Sequence, residues 1–174
     1  GKIVEVGKVT ASAKQVVNAD GLLVTPGFVD IHTHYDGQVT WDDQLDPSFS
    51  HGVTTVVMGN CGVGFAPVVS GTEDDLIKLM EGVEDIPGAA LSEGIQWSWN
   101  TFPEYLDALA YRHYAMDVGA QLPHGALRAF VMGERGFLNK LATDEDIAQM
   151  SKLTEEAARA GALGVTTSRS EAHQ

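Results

Sequence analysis

His32 and His34 are separated by a single residue within Phe28-Val29-Asp30-Ile31-His32-Thr33-His34. In an extended strand alternate side chains share a face, so Phe28, Asp30, His32 and His34 lie on one side and Val29, Ile31 and Thr33 on the other. Two imidazoles converging from one face suit a divalent metal. The plainer alternative is a pair of histidines satisfied by hydrogen bonds in a core. Cys61 lies in Asn60-Cys61-Gly62-Val63-Gly64, directly after a second apolar run. At a strand's C-terminal end, level with the histidines, it reads as a thiolate ligand; away from such a setting it is a small buried hydrophobe. The surrounding glycines match neither GxGxxG nor GxxxxGK, which argues against a phosphate cradle. His124 follows a third apolar run, as a ligand, a substrate contact or a helix-capping histidine. Ser168 and Arg169 follow a fourth.

The elements that must position these residues are legible around them. Thr25-Pro26-Gly27 is a turn that starts a buried strand carrying the two histidines. Residues 52–59, β-branched and bounded by glycines, form a second buried strand; residues 116–123 form a third and 162–168 a fourth. Between them lie helices opened by Thr72-Glu73-Asp74-Asp75, by the capping box Thr101-Phe102-Pro103-Glu104, and by Thr143-Asp144-Glu145-Asp146. Their buried sides are read as Leu76, Ile77, Leu79 and Met80, as Leu106 and Leu109, and as Ile147, Met150, Leu153 and Ala157. A short helix starts within 126–132, and Gly161 ends the last helix. Residues 35–51 read as a polar loop at a strand's C-terminal end, either placed for substrate contacts or simply solvated, and 82–100 as irregular, with Trp97 and Trp99 either walling a pocket or packing under a loop. Residues 1–24 alternate apolar and polar positions around a turn at Asn18-Ala19-Asp20-Gly21, as in a small antiparallel β unit.

Strands separated by helices predict parallel β/α units in an α/β fold. All the chemistry falls at strand C-terminal ends, as in the active site of a (β/α)8 TIM-type barrel. Such a barrel takes about 250 residues, so 174 residues supply roughly its first four β/α units. The chain opens without Met, directly in a strand-like stretch, and stops just after a strand. It is therefore read as truncated at both ends, with 1–24 part of a β-sandwich and 25–174 an incomplete barrel. Unpaired sheet edges predict poor solubility or self-association in isolation.

A formal charge of −13 disfavours nucleic acid and anionic membranes as partners. No apolar run is long enough to span a bilayer, and no signal-peptide pattern is present at the start. A single cysteine excludes an internal disulfide framework and fits a reducing, cytoplasmic compartment.

Gly21-Leu-Leu-Val-Thr-Pro-Gly-Phe-Val-Asp-Ile-His-Thr-His34 resembles the first barrel strand of the metal-dependent amidohydrolase superfamily. The stretches from His34 to Gln38 and from His51 to Pro67 resemble its N-acyl-D-amino-acid deacylase (D-aminoacylase) branch, Asn60-Cys-Gly-Val-Gly64 being the most specific part. The likeness continues through Met80–Gly88, Pro123–Arg128 and Gly161–Arg169. It implies a zinc-dependent hydrolase, with one or two divalent ions, that cleaves N-acyl-D-amino acids as small-molecule substrates. It makes His32, His34 and Cys61 the metal ligands, and places two more His and the proton-transferring Asp beyond Gln174, so that no catalytic residue lies within the chain and the chain alone is inactive. Asp30, on the histidine face, supports the ligands, while Asn60, His124, Ser168 and Arg169 are residues for substrate or ligand support. Arg169 is the one placed cation for a substrate carboxylate. A hydantoinase- or dihydropyrimidinase-like cyclic-amide hydrolase is the alternative enzyme, disfavoured by Cys61 and by the lack of a strand-end lysine. A barrel-derived interaction protein without chemistry is the alternative from another class.

Overall fold

The computed structural model describes residues 2–84 and 86–168. In chain order it contains strand β1 (Phe28–Asp30), β2 (Val53–Met58), helix α1 (Glu73–Glu84), α2 (Gly88–Gly94), α3 (Phe102–Ala110), β3 (Asp117–Ala120), β4 (Leu122–Pro123), α4 (His124–Met132), α5 (Glu134–Phe137), α6 (Asp144–Ala160) and β5 (Val165–Thr166). β1 pairs in parallel with β2, and β2 with β3. β4 pairs in parallel with β5. Two backbone bonds, Gln121 N–H to Met58 O and Leu122 N–H to Gly164 O, run from consecutive residues to opposite sides of the segment. The third extended segment thus joins β2 to β5. Parallel strands following one another in sequence order, with helices between, are what alternating apolar strands and amphipathic helices predict.

Caps account for where the helices start. Thr101 accepts from the Glu104 N–H while Glu104 reaches back to the Thr101 N–H, and Thr143 and Asp146 repeat the arrangement at α6. Gly161, at φ 117°, ends α6 in a left-handed conformation. In α1, Leu76, Ile77 and Met80 are buried and Leu79 partly so. In α3 the buried side is Phe102, Tyr105 and Leu109, and Leu106 only flanks it. In α6, Ala157 alone of the expected apolar face is fully buried, while Ile147 is 50% exposed.

Three expectations are revised. The loop after β1 is only partly solvated: Asp43, Asp46 and Pro47 are exposed, but Asp36, Val39, Thr40 and Leu45 are buried, and the segment is held in two 3-10 turns. Residues 88–94, expected to be irregular, form α2, a helix too short to show periodicity and anchored by Leu91. The strand bearing the histidines is exposed at Phe28, Val29 and Ile31, because among the described residues nothing pairs with its outer edge. Residues 2–27 contain the turn at Asn18–Gly21, closed by Asp20 N–H to Asn18 Oδ1 and Leu22 N–H to Ala19 O, but no strand. Ile3, Val4 and Leu23, all more than 80% exposed, have no sheet here to pair with.

The tryptophans pack under the loop. Trp99 is buried, donates its indole N–H to Phe65 O at 2.8 Å, and stacks edge-on against Tyr105 with centroids 4.9 Å apart. No helix is long and apolar enough to cross a membrane among the described residues.

Candidate metal centre

After Asp30 the β1 chain runs on alongside β2 rather than stopping. Thr33 donates to Val57 O through both its N–H (3.0 Å) and its hydroxyl (2.9 Å) and is buried. With Thr33 tied inward, the two histidines flanking it turn to the other face, as strand alternation requires. Their rings lie 5.6 Å apart, inclined at 61°. The Asp30 carboxylate accepts the His32 N–H at 3.1 Å and so fixes the backbone where the first histidine leaves the strand.

β2 ends in a tight turn, Asn60–Gly62, in which Gly59, Cys61 and Gly62 all take positive φ (79°, 55° and 76°). A Cβ on Gly59 would overlap the Gln121 carbonyl oxygen, and one on Gly62 would press on the Thr167 backbone, so only glycine fits at either position. Cys61 adopts the left-handed conformation without that freedom, a cost of order 1 kcal/mol that the surrounding turn must hold in place. The result is functional geometry: its Sγ lies 3.2 Å from His32 Nε2. Thr166, on β5, closes the turn from the far side, donating to Gly59 O and accepting the Gly62 N–H.

His32, His34 and Cys61 form a group whose donor atoms all lie within 4.8 Å of one another; His32 is exposed and the other two are half-buried. Donors on a tetrahedral zinc ion are separated by roughly 3.3–3.6 Å, given bond lengths near 2.0–2.3 Å. The His32–Cys61 pair, at 3.2 Å, is already at about that spacing, and a donor set of two imidazole nitrogens and a thiol favours zinc over magnesium or calcium.

The other candidate residues fall around this group. His124 is the first residue of α4 and places Nδ1 3.3 Å from Thr167 Oγ1, on the α4 side of the strand ends. Ser168 is half-buried behind Gly62. Arg169 lies outside the described residues. Asn60 is 7% exposed and faces inward. Its amide donates to Thr33 O (3.1 Å) and Val57 O (2.9 Å) and accepts from Gln121 Nε2 (3.0 Å).

Sequence reasoning missed Gln121 and Asp36. Gln121 stood at a strand end, the one signal available for it. Asp36 is 3% exposed, and its backbone carbonyl accepts the Tyr105 hydroxyl at 3.0 Å. Burial, with Asp36 and Tyr114 adding to it, pushes the Tyr105 phenol well above its ordinary range.

The amidohydrolase family model matches residues 15–174. A D-aminoacylase from Alcaligenes xylosoxydans xylosoxydans is 38% identical over 157 residues, covering 90% of this chain and 30% of that protein. A solved D-aminoacylase with a binuclear metal centre matches at a TM-score of 0.64 and 35% identity, covering 82% of this chain and 27% of that one. N-acyl-D-glutamate deacylase from Bordetella bronchiseptica, solved with zinc and a phosphonate mimic of the tetrahedral intermediate, matches at a TM-score of 0.58 and 29% identity, with the same coverage. The chain thus spans about 30% of the length of the curated relatives it matches. A match of that family model from residue 15 to residue 174, nearly the whole chain, means that the chain belongs to the amidohydrolase family.

Proposed function

We propose that the protein carrying this chain is a zinc-dependent hydrolase that converts N-acyl-D-amino acids and water into a carboxylate and a free D-amino acid. The observation that carries this reading is the convergence of His32, His34 and Cys61 within 4.8 Å at the ends of two parallel strands. Names of the relatives supply the substrate class: a D-aminoacylase and a deacylase of N-acyl-D-glutamate. In this reading residues 25–174 form the first four β/α units of a (β/α)8 barrel, and 1–24 belong to a β-sandwich.

One or two zinc ions would be held by the two imidazoles and the Cys61 thiolate. When bound, zinc supplies an acidified water, with a pKa near 7, and a Lewis acid for the amide carbonyl. Around it the chain's own residues orient and support. Asp30 fixes the backbone of His32, and the buried Thr33 fixes the histidine strand against β2. Gly59 and Gly62 let the thiol approach from the second strand. His124 and Ser168 lie on the third and fourth strand ends, from which they would meet the substrate. The proton-transferring Asp and the remaining ligands would come from outside this chain.

The test is hydrolysis by the intact protein of N-acetyl-D-amino acids, their L-enantiomers and a hydantoin. Release of D-amino acid alone, abolished by chelation, restored by zinc and lost in Cys61→Ala, supports the reading. Turnover of the hydantoin alone transfers the protein to the cyclic-amide hydrolases, and no turnover with bound zinc makes it an interaction protein.

A further inference from the structure

A centre built from two chain segments works only if their separation is fixed. His32 and His34 sit on either side of Thr33, and Cys61 directly follows Asn60. The Asn60 side chain links these two places. Its NH2 donates to the carbonyl of Thr33, between the two histidines, and to the carbonyl of Val57 on β2. Two carbonyl acceptors leave the amide one orientation, with Oδ1 directed to the third segment, where Gln121 Nε2 donates to it at 3.0 Å. A chain of two side-chain amides thus crosses the ends of β1, β2 and β3. Asn60 is buried and uses both amide hydrogens and its oxygen inside the protein. Its two amide hydrogens are both engaged by backbone carbonyls, which makes it a support for the strand ends.

We propose that Asn60, oriented by Gln121, is a positioning residue that sets the distance between the histidine pair and the thiol. The proposal rests on the reading of His32, His34 and Cys61 as metal ligands. Groups that orient ligands in this way alter metal affinity roughly 10–100-fold when replaced. Asp at position 60 has the same shape but turns an oxygen toward the Thr33 and Val57 carbonyls. Met at position 121 keeps the volume of Gln and removes its side-chain amide, including the donor to Asn60.

Cobalt(II) binding to the intact, metal-stripped protein tests this, followed by the thiolate-to-cobalt charge-transfer band and by competition with a chelator. The wild type binds with that band. Asn60→Asp binds roughly 10–100-fold more weakly, and Gln121→Met roughly 10-fold, with a shifted spectrum. Thr143→Ala, which loses the cap hydrogen bond at the start of α6, controls for plain loss of stability. Affinity and spectrum in both variants no more altered than in Thr143→Ala overturn the proposal. Should Asn60→Asp fail to fold, Gln121→Met decides alone. A wild type without the charge-transfer band refutes the metal reading itself, and the positioning role with it.

Discussion

Cys61 holds an uncommon backbone conformation for a side chain that could be had more cheaply elsewhere, and the gain is its position against His32. Replacing it with Ala removes one of three close donors, so metal content after dialysis against a weak chelator falls by at least 10-fold. Asp30 is a subtler case. Asp30→Asn keeps an oxygen for the His32 N–H and removes only a negative charge, so zinc retention falls a few-fold; unchanged zinc would refute its role. Tyr105 and Tyr114 make a prediction about pH. Burial pushes the Tyr114 phenol up to about 12, against the partial opposition of Arg112, and pushes Tyr105 well above its ordinary range. Both groups ionise more readily unfolded, so the stability they contribute is present below about pH 10 and is lost as pH rises through the folded-state values. Spectroscopic titration should show their ionisation together with unfolding. Ionisation of all four tyrosines near pH 10 in folded protein would contradict it.

At the scale of elements, the helix caps and the strand-end turns carry the arrangement. Arg135 donates to both oxygens of Asp146, which also accepts the Thr143 N–H. The Thr143 N–H first, and the Arg135 guanidinium second, hold the Asp146 carboxyl below its ordinary value. Its contribution is therefore present above about pH 4 and disappears as pH falls through the lowered value. Thr143→Ala costs about 1 kcal/mol of stability by loss of the cap. Denaturant unfolding at neutral pH would measure it, and a shortfall below a few tenths of a kcal/mol would show the cap to be idle. The capping boxes, the parallel order and the placing of chemistry at strand ends could all be read from local patterns. α2 could not be, since seven residues with one buried anchor carry no period. Nor could the division of residues 116–123, where Gln121 and Leu122 bond to different neighbours.

Across the whole molecule, the core lies beneath the loop that follows β1. Val39 and Leu45 from that loop, Phe65 after the cysteine turn, and Trp99 and Tyr105 around α3 are all buried together. The opposite condition holds at the β1 edge, where Phe28, Val29 and Ile31 are 59–70% exposed. An open, apolar parallel edge invites pairing with another chain. Produced as these 174 residues, the chain should sediment as a self-associated species, and Val29→Lys should shift it toward monomer. A monomeric wild type would show the edge to be harmless.

His32, His34 and Cys61 were readable because ligand chemistry is a property of residue type, and strand alternation and glycine turns are local rules that place those types at strand ends. How near they come was not readable, since that distance depends on how β2 lies beside β1, across a register shift between Phe28 and Val29, and on the left-handed turn at Cys61. The burial of Asp36 and the amide chain from Thr33 through Asn60 to Gln121 belong to the tertiary structure for the same reason. A polar side chain looks solvated in sequence until distant segments supply its partners, and Asn60 and Gln121 are 61 residues apart.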